Sequence, residues 1–315
     1  MPPETILQCK VPPAYHGVTL SDFLCARFPY QTREEWENLV RRGKVRVNGQ
    51  KTSPKQPVHK NNVVSYAAAL QEPPVDPTID ILHEEDAFLA ASKSGNLPCH
   101  SDGQYITHTF VHLLKEKKEA EGYSGFLGLA HRIDRETSGI LLVAKTQETL
   151  KTLSTAFERC EVEKHYLAWV MGVVNEEKFE RRDPIGRDPE STISIRRKAL
   201  ADGTPDALPA HTQFEVVERR NDRTLVRCLP LTGRTHQIRV HLEAAGYPVV
   251  GDKLYGRKDK DYIEFINLAK QGATVDWAAR FGAARQLLHA SRLTFQHPIT
   301  GERASYEAPL PPDMR

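Results

Sequence analysis

The sequence predicts an α+β chain in two unequal parts. A helix, helix, hairpin pattern rich in arginine and lysine fills residues 1–70, a proline-rich stretch without periodicity ("QEPPVDPT") covers 71–78, and strand and helix signals alternate from 79 to 315. The charge divides in the same place. Residues 1–70 carry ten Lys/Arg against five Asp/Glu, about +5, so a chain of formal net charge +2 holds about −3 in its remainder. The basic end is the expected contact with a polyanion.

In the first part, "GVTLSDFLCARFP" (17–29) spaces Leu20, Phe23, Leu24 and Phe28 at helical intervals, with Thr19 or Ser21 as the cap and Pro29 as the stop. A second helix starts at Thr32, whose spacing to Glu35 is that of a capping box; it turns Trp36, Leu39 and Val40 inward and stops at Gly43. "KVRVNGQK" then alternates charged and apolar residues up to Asn48-Gly49, a pair that accepts positive φ at both turn positions and so marks a hairpin. Arg33, Arg41, Arg42, Lys44, Arg46 and Lys51 gather around the second helix and this turn.

In the second part, "FLAASKSG" (88–95) reads as a strand ending at a turn, and "ILLVAK" (140–145) as a strand covered on both faces. Residues 147–159 form a helix with Leu150, Leu153 and Phe157 on one side, and "HYLAWVMGVV" (165–174) is a central strand. With 39% hydrophobic residues the chain can bury a sizeable core, yet it has no run of about 18 apolar residues, and its start lacks the basic and apolar regions of a leader. A cytoplasmic protein that enters no membrane is expected. Its five cysteines are scattered without a CxxC, so neither disulfides nor a zinc knuckle is expected. His108 and His112 have helical spacing but neither a following glutamate nor a third ligand, so no metal site is expected.

Two charged clusters abut apolar runs. "HRIDRETSGILLVAKT" (131–146) sets Asp134 among His131, Arg132 and Arg135; by itself this reads as a surface ion pair, the usual fate of such an aspartate. "LTGRTHQIRVHLEAAGYPVVGDKLYG" (231–256) alternates Ile238, Val240 and Leu242, which predicts a strand with Arg239 and His241 on its other face and Arg234 freed by the Thr-Gly turn. A cationic rim of this kind suits phosphate binding or the clamping of a carboxylate.

Two family resemblances sharpen this reading. "TREEWENLVRRGKVRVNG" (32–49) resembles the S4 RNA-binding domain, which implies that Arg33, Arg41, Arg42, Lys44 and Arg46 face RNA. "HRIDRETSGILLVAKT" resembles the signature of the RluA-type pseudouridine synthases. "EKHYLAWVMG" (163–172), "PIGRDP" (184–189), "TGRTHQIRVHL", "GYPVVGDKLYG", "RQLLHASRLTFQHPITGE" (285–302) and "APLPPD" resemble further family segments in the right order over nearly the whole chain. The resemblance implies an S4-like domain at 1–70, a linker at 71–78 and, at 79–315, a catalytic domain on a mixed, largely antiparallel sheet. It also implies an isomerase that turns RNA uridine into pseudouridine without cofactor or metal.

Matched residue by residue, the resemblance implies that Asp134 is the family's catalytic aspartate, Tyr166 its active-site tyrosine, which stacks on the target base, and Arg234 the arginine paired with the aspartate. The resemblance further implies that Arg132 fills the gap left by the extruded base, and Arg239 and His236 are expected among the RNA contacts. The expected substrate is ribosomal RNA, with transfer RNA as the alternative, and the chain is expected to act as a monomer. Where the family often has Lys-Pro-x-Gly, this chain has Lys93-Ser94-Gly95-Asn96, and residues 257–284 follow no family pattern, which suggests a helix-containing excursion. The competing readings are an idle RNA-binding or ribosome-assembly protein, against which the retained Asp134, Tyr166 and Arg234 argue, and a hydrolytic nucleosidase or glycosidase, which commonly relies on paired carboxylates or a metal.

Overall fold

The computed structural model describes residues 5–28, 31–68, 72–101, 105–270, 273 and 275–315. The chain divides into two compact units, Met1–Pro73 with Ser101–Thr107, and Pro74–His100 with His108–Arg315.

The first unit runs β1 (Thr5–Lys10), α1 (Leu20–Arg27), α2 (Arg33–Arg41), β2 (Val45–Val47), β3 (Gln50–Lys51) and β4 (Val63–Ala68). The strands form an antiparallel sheet in the order β1-β4-β2-β3. Local chemistry sets the helix starts. Thr19 Oγ1 accepts from Asp22 N at 3.2 Å, and Thr32 and Glu35 complete a reciprocal capping box, with Thr32 N donating to Glu35 Oε2 at 2.7 Å. Pro29, the expected stop of α1, lies outside the described residues; the helix ends at Arg27. Asn48 and Gly49 turn the β2–β3 hairpin at φ 50° and 77°. Leu20, Phe23, Trp36, Val40, Val45 and Tyr66 bury a common core, each large side chain contributing about 1.5–3 kcal/mol.

The second unit runs β5 (Ile79–Glu84), β6 (Phe88–Lys93), α3 (Phe110–Ala120), β7 (Gly128–Leu129), β8 (Ser138–Ala144), α4 (Gln147–Glu158), β9 (Glu163–Met171), β10 (Lys178–Arg181), β11 (Ile185–Arg187), β12 (Arg197–Ala199), β13 (Thr212–Arg219), β14 (Arg223–Pro230), α5 (Gln237–Ala244), α6 (Asp259–Lys270), α7 (Trp277–Phe281), β15 (Leu288–Gln296) and β16 (Arg303–Glu307). A ten-stranded sheet orders β10-β13-β14-β9-β15-β8-β6-β5, with β7 added to β8 and β16 to β15. Every pair in it is antiparallel except β15 with β8. Residues 74–78 belong to this unit and are tied to it: Asn96 Nδ2 donates to Pro74 O at 3.2 Å and Ser94 Oγ to Asp76 O at 2.6 Å. Residues 257–284 hold α6 and α7, with 271, 272 and 274 outside the described residues.

The parallel junction of β8 and β15 has a stringent steric demand. Gly139 sits there at φ 113°, and a Cβ on it would lie 2.2 Å from Ala290 O. The glycine of the Thr-Ser-Gly motif therefore lets two strands meet, and β8 runs from that point buried along its whole length. Apolar clusters lie on either side of the seam, one around Phe88, Leu141 and Phe110, the other around Val170, Val226 and Leu242.

The segment expected as a strand at 238–242 is helix α5. Its apolar residues alternate because the helix is buried on opposing sides. Ile238 and Leu242, one turn apart, pack against Val170 and Val226, while Val240 faces a separate cluster with Ile185 and Tyr255. The polar residues between them are buried too, and each is satisfied. His241 hydrogen bonds Thr212 Oγ1 at 2.9 Å and Asp183 O at 3.0 Å.

Candidate active site

Asp134 lies on the loop that enters β8, and that loop is fastened by its own backbone. Lys93, at the end of β6, is buried and its ammonium donates to the carbonyls of Arg135 at 2.9 Å, Ser94 at 3.1 Å and Thr137. Burial pushes its pKa down to about 8. Leu97 N donates to Arg135 O at 3.0 Å, and Cys99 Sγ to Ile133 O at 3.3 Å. On the far side Gln286 Nε2 donates to Thr137 Oγ1 at 2.7 Å, and the Glu136 carboxylate accepts from Lys253 Nζ at 2.9 Å and Gln286 N at 3.0 Å. Two loop carbonyls held by one lysine, with Gln286 and Lys253 bonded on the far side, leave the loop little freedom.

The partner of Asp134 is Arg239, on the first turn of α5. Its Nη1 donates to Asp134 Oδ2 at 2.7 Å, while Nε and Nη2 hold both oxygens of buried Asp252 at 2.6 and 2.9 Å. Asp252 also accepts from Leu254 N and Tyr255 N, and the guanidinium lies 4.7 Å over the Tyr255 ring. Burial would raise the Asp134 pKa, but the Arg239 charge outweighs it and, with His236, holds the carboxyl at about 2. Oδ2 is thus engaged, whereas Oδ1 accepts no hydrogen bond among the described residues and has His236 Nε2 at 3.9 Å.

His236 takes the left-handed conformation, φ 58°, that starts α5, and its Nδ1 meets Tyr255 Oη at 2.8 Å. Burial lowers its pKa to about 4, so the ring is neutral near pH 7. His131 is neutral for the same reason, its pKa pushed down by burial to about 3. Its Nε2 accepts from Leu142 N at 3.2 Å and its ring stacks on Phe157 at 4.1 Å.

These groups wall a cavity of about 450 Å³ within the second unit. Asp134, Tyr166, Arg234, Arg132 and His236 all line it, so the structure brings together residues taken from 131–134, 166 and 234–239. Tyr166 stands on β9 opposite Ala290 and Cys228 and packs against both apolar clusters, at the seam of the sheet. Burial and the Asp134 charge push its phenol well above its ordinary value, which keeps it protonated.

Two expectations are corrected here. Arg234 does not pair with Asp134: its Nε donates to Pro209 O at 2.9 Å, and its backbone N to Gln237 Oε1 at 3.0 Å. Arg239, expected on an RNA-facing strand, is buried and saturated by two carboxylates, because a helix places it one turn from His236 on the face toward Asp134. Nothing in the motifs assigned a role to Asp252, Tyr255, Lys93 or Gln286. Only Asp252, an acidic residue inside a Gly-Asp-Lys-Leu-Tyr-Gly turn, carried a signal that could have found it.

Arg132 is exposed at the rim and forms no ion pair among the described residues. In the first unit Arg33 pairs with Asp22 at 2.8 Å and Arg41 with Glu37 at 2.6 Å, both exposed. Arg42, Lys44 and Arg46 are exposed or half-exposed beside the hairpin.

The family profile described as RNA pseudouridylate synthase matches residues 87–244, and the S4 domain profile residues 18–64. The chain is 30% identical to ribosomal large subunit pseudouridine synthase C of Pasteurella multocida, covering 95% of this chain and 89% of that one. The chain belongs to the RNA pseudouridylate synthase family. The synthase is also 32% identical to ribosomal large subunit pseudouridine synthase D of Neisseria meningitidis serogroup A, over 99% of this chain and 80% of that one. Its fold is similar to the solved human RNA pseudouridylate synthase domain containing 1, with a TM-score of 0.57 and 25% identity over 76% of this chain and 86% of the human one. The synthase is therefore an isomerase of RNA uridine with an S4 domain at its N-terminal end, and no helix among the described residues is long and apolar enough to cross a membrane.

Proposed function

We propose that the synthase isomerises uridine in large-subunit ribosomal RNA, with Asp134 acting at the ribose of an extruded uridine and Tyr166 stacked on its base. The observation that carries this reading is the state of Asp134: ionised, held through Oδ2 by Arg239, with Oδ1 accepting no hydrogen bond among the described residues, on a residue that lines one cavity with Tyr166. The reaction breaks the N1–C1′ bond and forms C5–C1′; C5 gives up a proton and N1 gains one, with no net oxidation. A carboxylate that stays charged in a partly dry cavity can serve such a step at the sugar, and a protonated phenol can stack and exchange a proton at the base.

The base must leave its stack to enter, at a cost of a few kcal/mol. Arg132, exposed at the rim, fills the vacated place, and Arg234 beside it meets RNA. The first unit, with Arg42, Lys44 and Arg46, holds the surrounding RNA by its phosphates. A ribosomal substrate supports a place in the cytoplasm. The ribosomal assignment rests on the relatives named for the large subunit.

The test is tritium release from RNA carrying 5-tritiated uridine, as large-subunit ribosomal RNA and as transfer RNA in parallel, with wild type and Asp134→Asn. Release from ribosomal RNA by wild type alone is expected. Release from transfer RNA only would move the substrate, and undiminished release by Asp134→Asn would remove that residue from the chemistry.

A further inference from the structure

One buried cation in the cavity is not used by any step above. Lys164 stands two residues before Tyr166 on β9, and strand alternation places both side chains on the same face, about 7 Å apart along the strand. Its register partner on β15 is Leu293, and both Lys164 and Tyr166 line the cavity that holds Asp134. Lys164 is only 8% exposed, yet among the described residues it donates no hydrogen bond and pairs with no carboxylate within 4 Å. Glu158, which also lines the cavity, is exposed at the end of α4 and does not pair with it.

A buried ammonium without an acceptor is costly, and burial lowers its pKa from the ordinary lysine value. It is also not sealed: Nζ is not one of the fully buried atoms without a partner among the described residues, so it keeps some accessible surface, and Lys164 lines the cavity. Beside it stands the neutral His131 ring. Because Nε2 of that ring accepts from Leu142 N, its proton sits on Nδ1, a second donor with no acceptor among the described residues.

We infer that Lys164 is an anion-binding residue that takes a phosphate of the flipped uridine's own backbone, with His131 Nδ1 as an auxiliary donor. This rests on the reading of the cavity as the uridine site. The geometry is that of a nucleotide lying along β9: base against Tyr166, ribose toward Asp134, phosphate toward Lys164. A base contact would not require a full charge at this place, whereas a phosphate supplies both the acceptor oxygens and the neutralising charge that Lys164 lacks. The phosphate would fix the ribose relative to Asp134, so Lys164 would be a binding and positioning residue rather than a participant in bond exchange.

The probes are uridine and uridine 3′,5′-bisphosphate, titrated by calorimetry or NMR into the full-length protein, wild type and Lys164→Met, with Lys164→Arg as the rescue. Wild type is expected to bind the bisphosphate at least about tenfold more tightly than uridine, the scale of one charge-assisted hydrogen bond. Lys164→Met is expected to erase that preference while leaving uridine affinity and the melting temperature in place, and Lys164→Arg to restore part of it. A wild type that does not distinguish the two ligands, or a Lys164→Met protein that still does, overturns the assignment. Tritium release by wild type from RNA reports separately on whether the cavity is the uridine site.

Discussion

Arg239 donates to Asp134 through one nitrogen and to Asp252 through the other two, so a single guanidinium joins the carboxylate facing the cavity to a carboxylate wholly inside the protein. Asp252, with no exposed side-chain surface, has no role toward RNA. It fixes the orientation of the arginine, and the arginine fixes the charge of Asp134. A lysine cannot make this arrangement, since it lacks the planar fork.

Arg239→Lys is therefore expected to lower kcat by about 100-fold with a smaller effect on KM, the loss of roughly 3 kcal/mol of preorganised electrostatics. Arg234→Ala, which removes a rim cation bonded to Pro209 O, is expected to raise KM several-fold and leave kcat within about threefold. Steady-state tritium release with both variants checks the contrast. An equal collapse of kcat in Arg234→Ala would return that residue to the centre of the site.

The acid limb of the pH profile reports on the same pair. With Asp134 held at about 2, below its ordinary 3.8, kcat/KM is expected to show no loss attributable to this group between pH 4 and 8. In Arg239→Met the burial that raises the pKa loses its main opposition, with only His236 and Gln286 left to counter it, and an acid limb is expected to move into that window. A lowered carboxylate pKa stabilises the fold above pH 3.8, and this contribution is lost as pH falls toward 2. Rates between pH 4 and 8 check the acid limb, and melting temperatures followed from pH 5 down towards pH 2 check the stability change.

Gly139→Ala is expected to prevent stable folding of the second unit. The new Cβ would meet Ala290 O at 2.2 Å at a φ of 113°, and relief requires parting β8 from β15, a cost of about 3 kcal/mol or more. Circular dichroism and a thermal melt check this. An unchanged melt would show that the β8–β15 junction yields easily.

For the first unit, replacing Arg42 and Arg46 by glutamine is expected to weaken RNA binding and to reduce the slope of log affinity against log salt by about one for each phosphate no longer neutralised. Arg33→Gln and Arg41→Gln are expected to change it less, because each of those cations already faces a carboxylate in the same unit. Salt titrations of binding to large-subunit RNA distinguish the pairs.

The features legible in the sequence were those written in short range. Thr32 and Glu35 cap α2 three residues apart, Asn48-Gly49 turns a hairpin, and the continuous run at 140–144 is a buried strand because no polar side chain interrupts it. The motif around Asp134 was equally legible, and so was the charge difference between the two ends of the chain. The helix at 237–244 was not. Period-two alternation of Ile238, Val240 and Leu242 fits a half-buried strand as well as a helix wedged between two cores, and only the presence of apolar clusters on both sides decides between them.

The choice of arginine followed from that one element. As a strand, residues 234–242 leave Arg234 free to project and send Arg239 outward; as a helix they turn Arg239 and His236 together toward Asp134, a residue 105 positions away in the chain. The caps, the hairpin, the buried strands, the motif around Asp134 and the family could all be read along the chain. Tertiary structure alone decided which cation meets the carboxylate, that Asp252 stands behind it, and that Lys93 ties down the loop. Caps and turns are energies between neighbours along the chain, whereas the state of Asp134 depends on burial and on charges that only folding brings within hydrogen-bond distance.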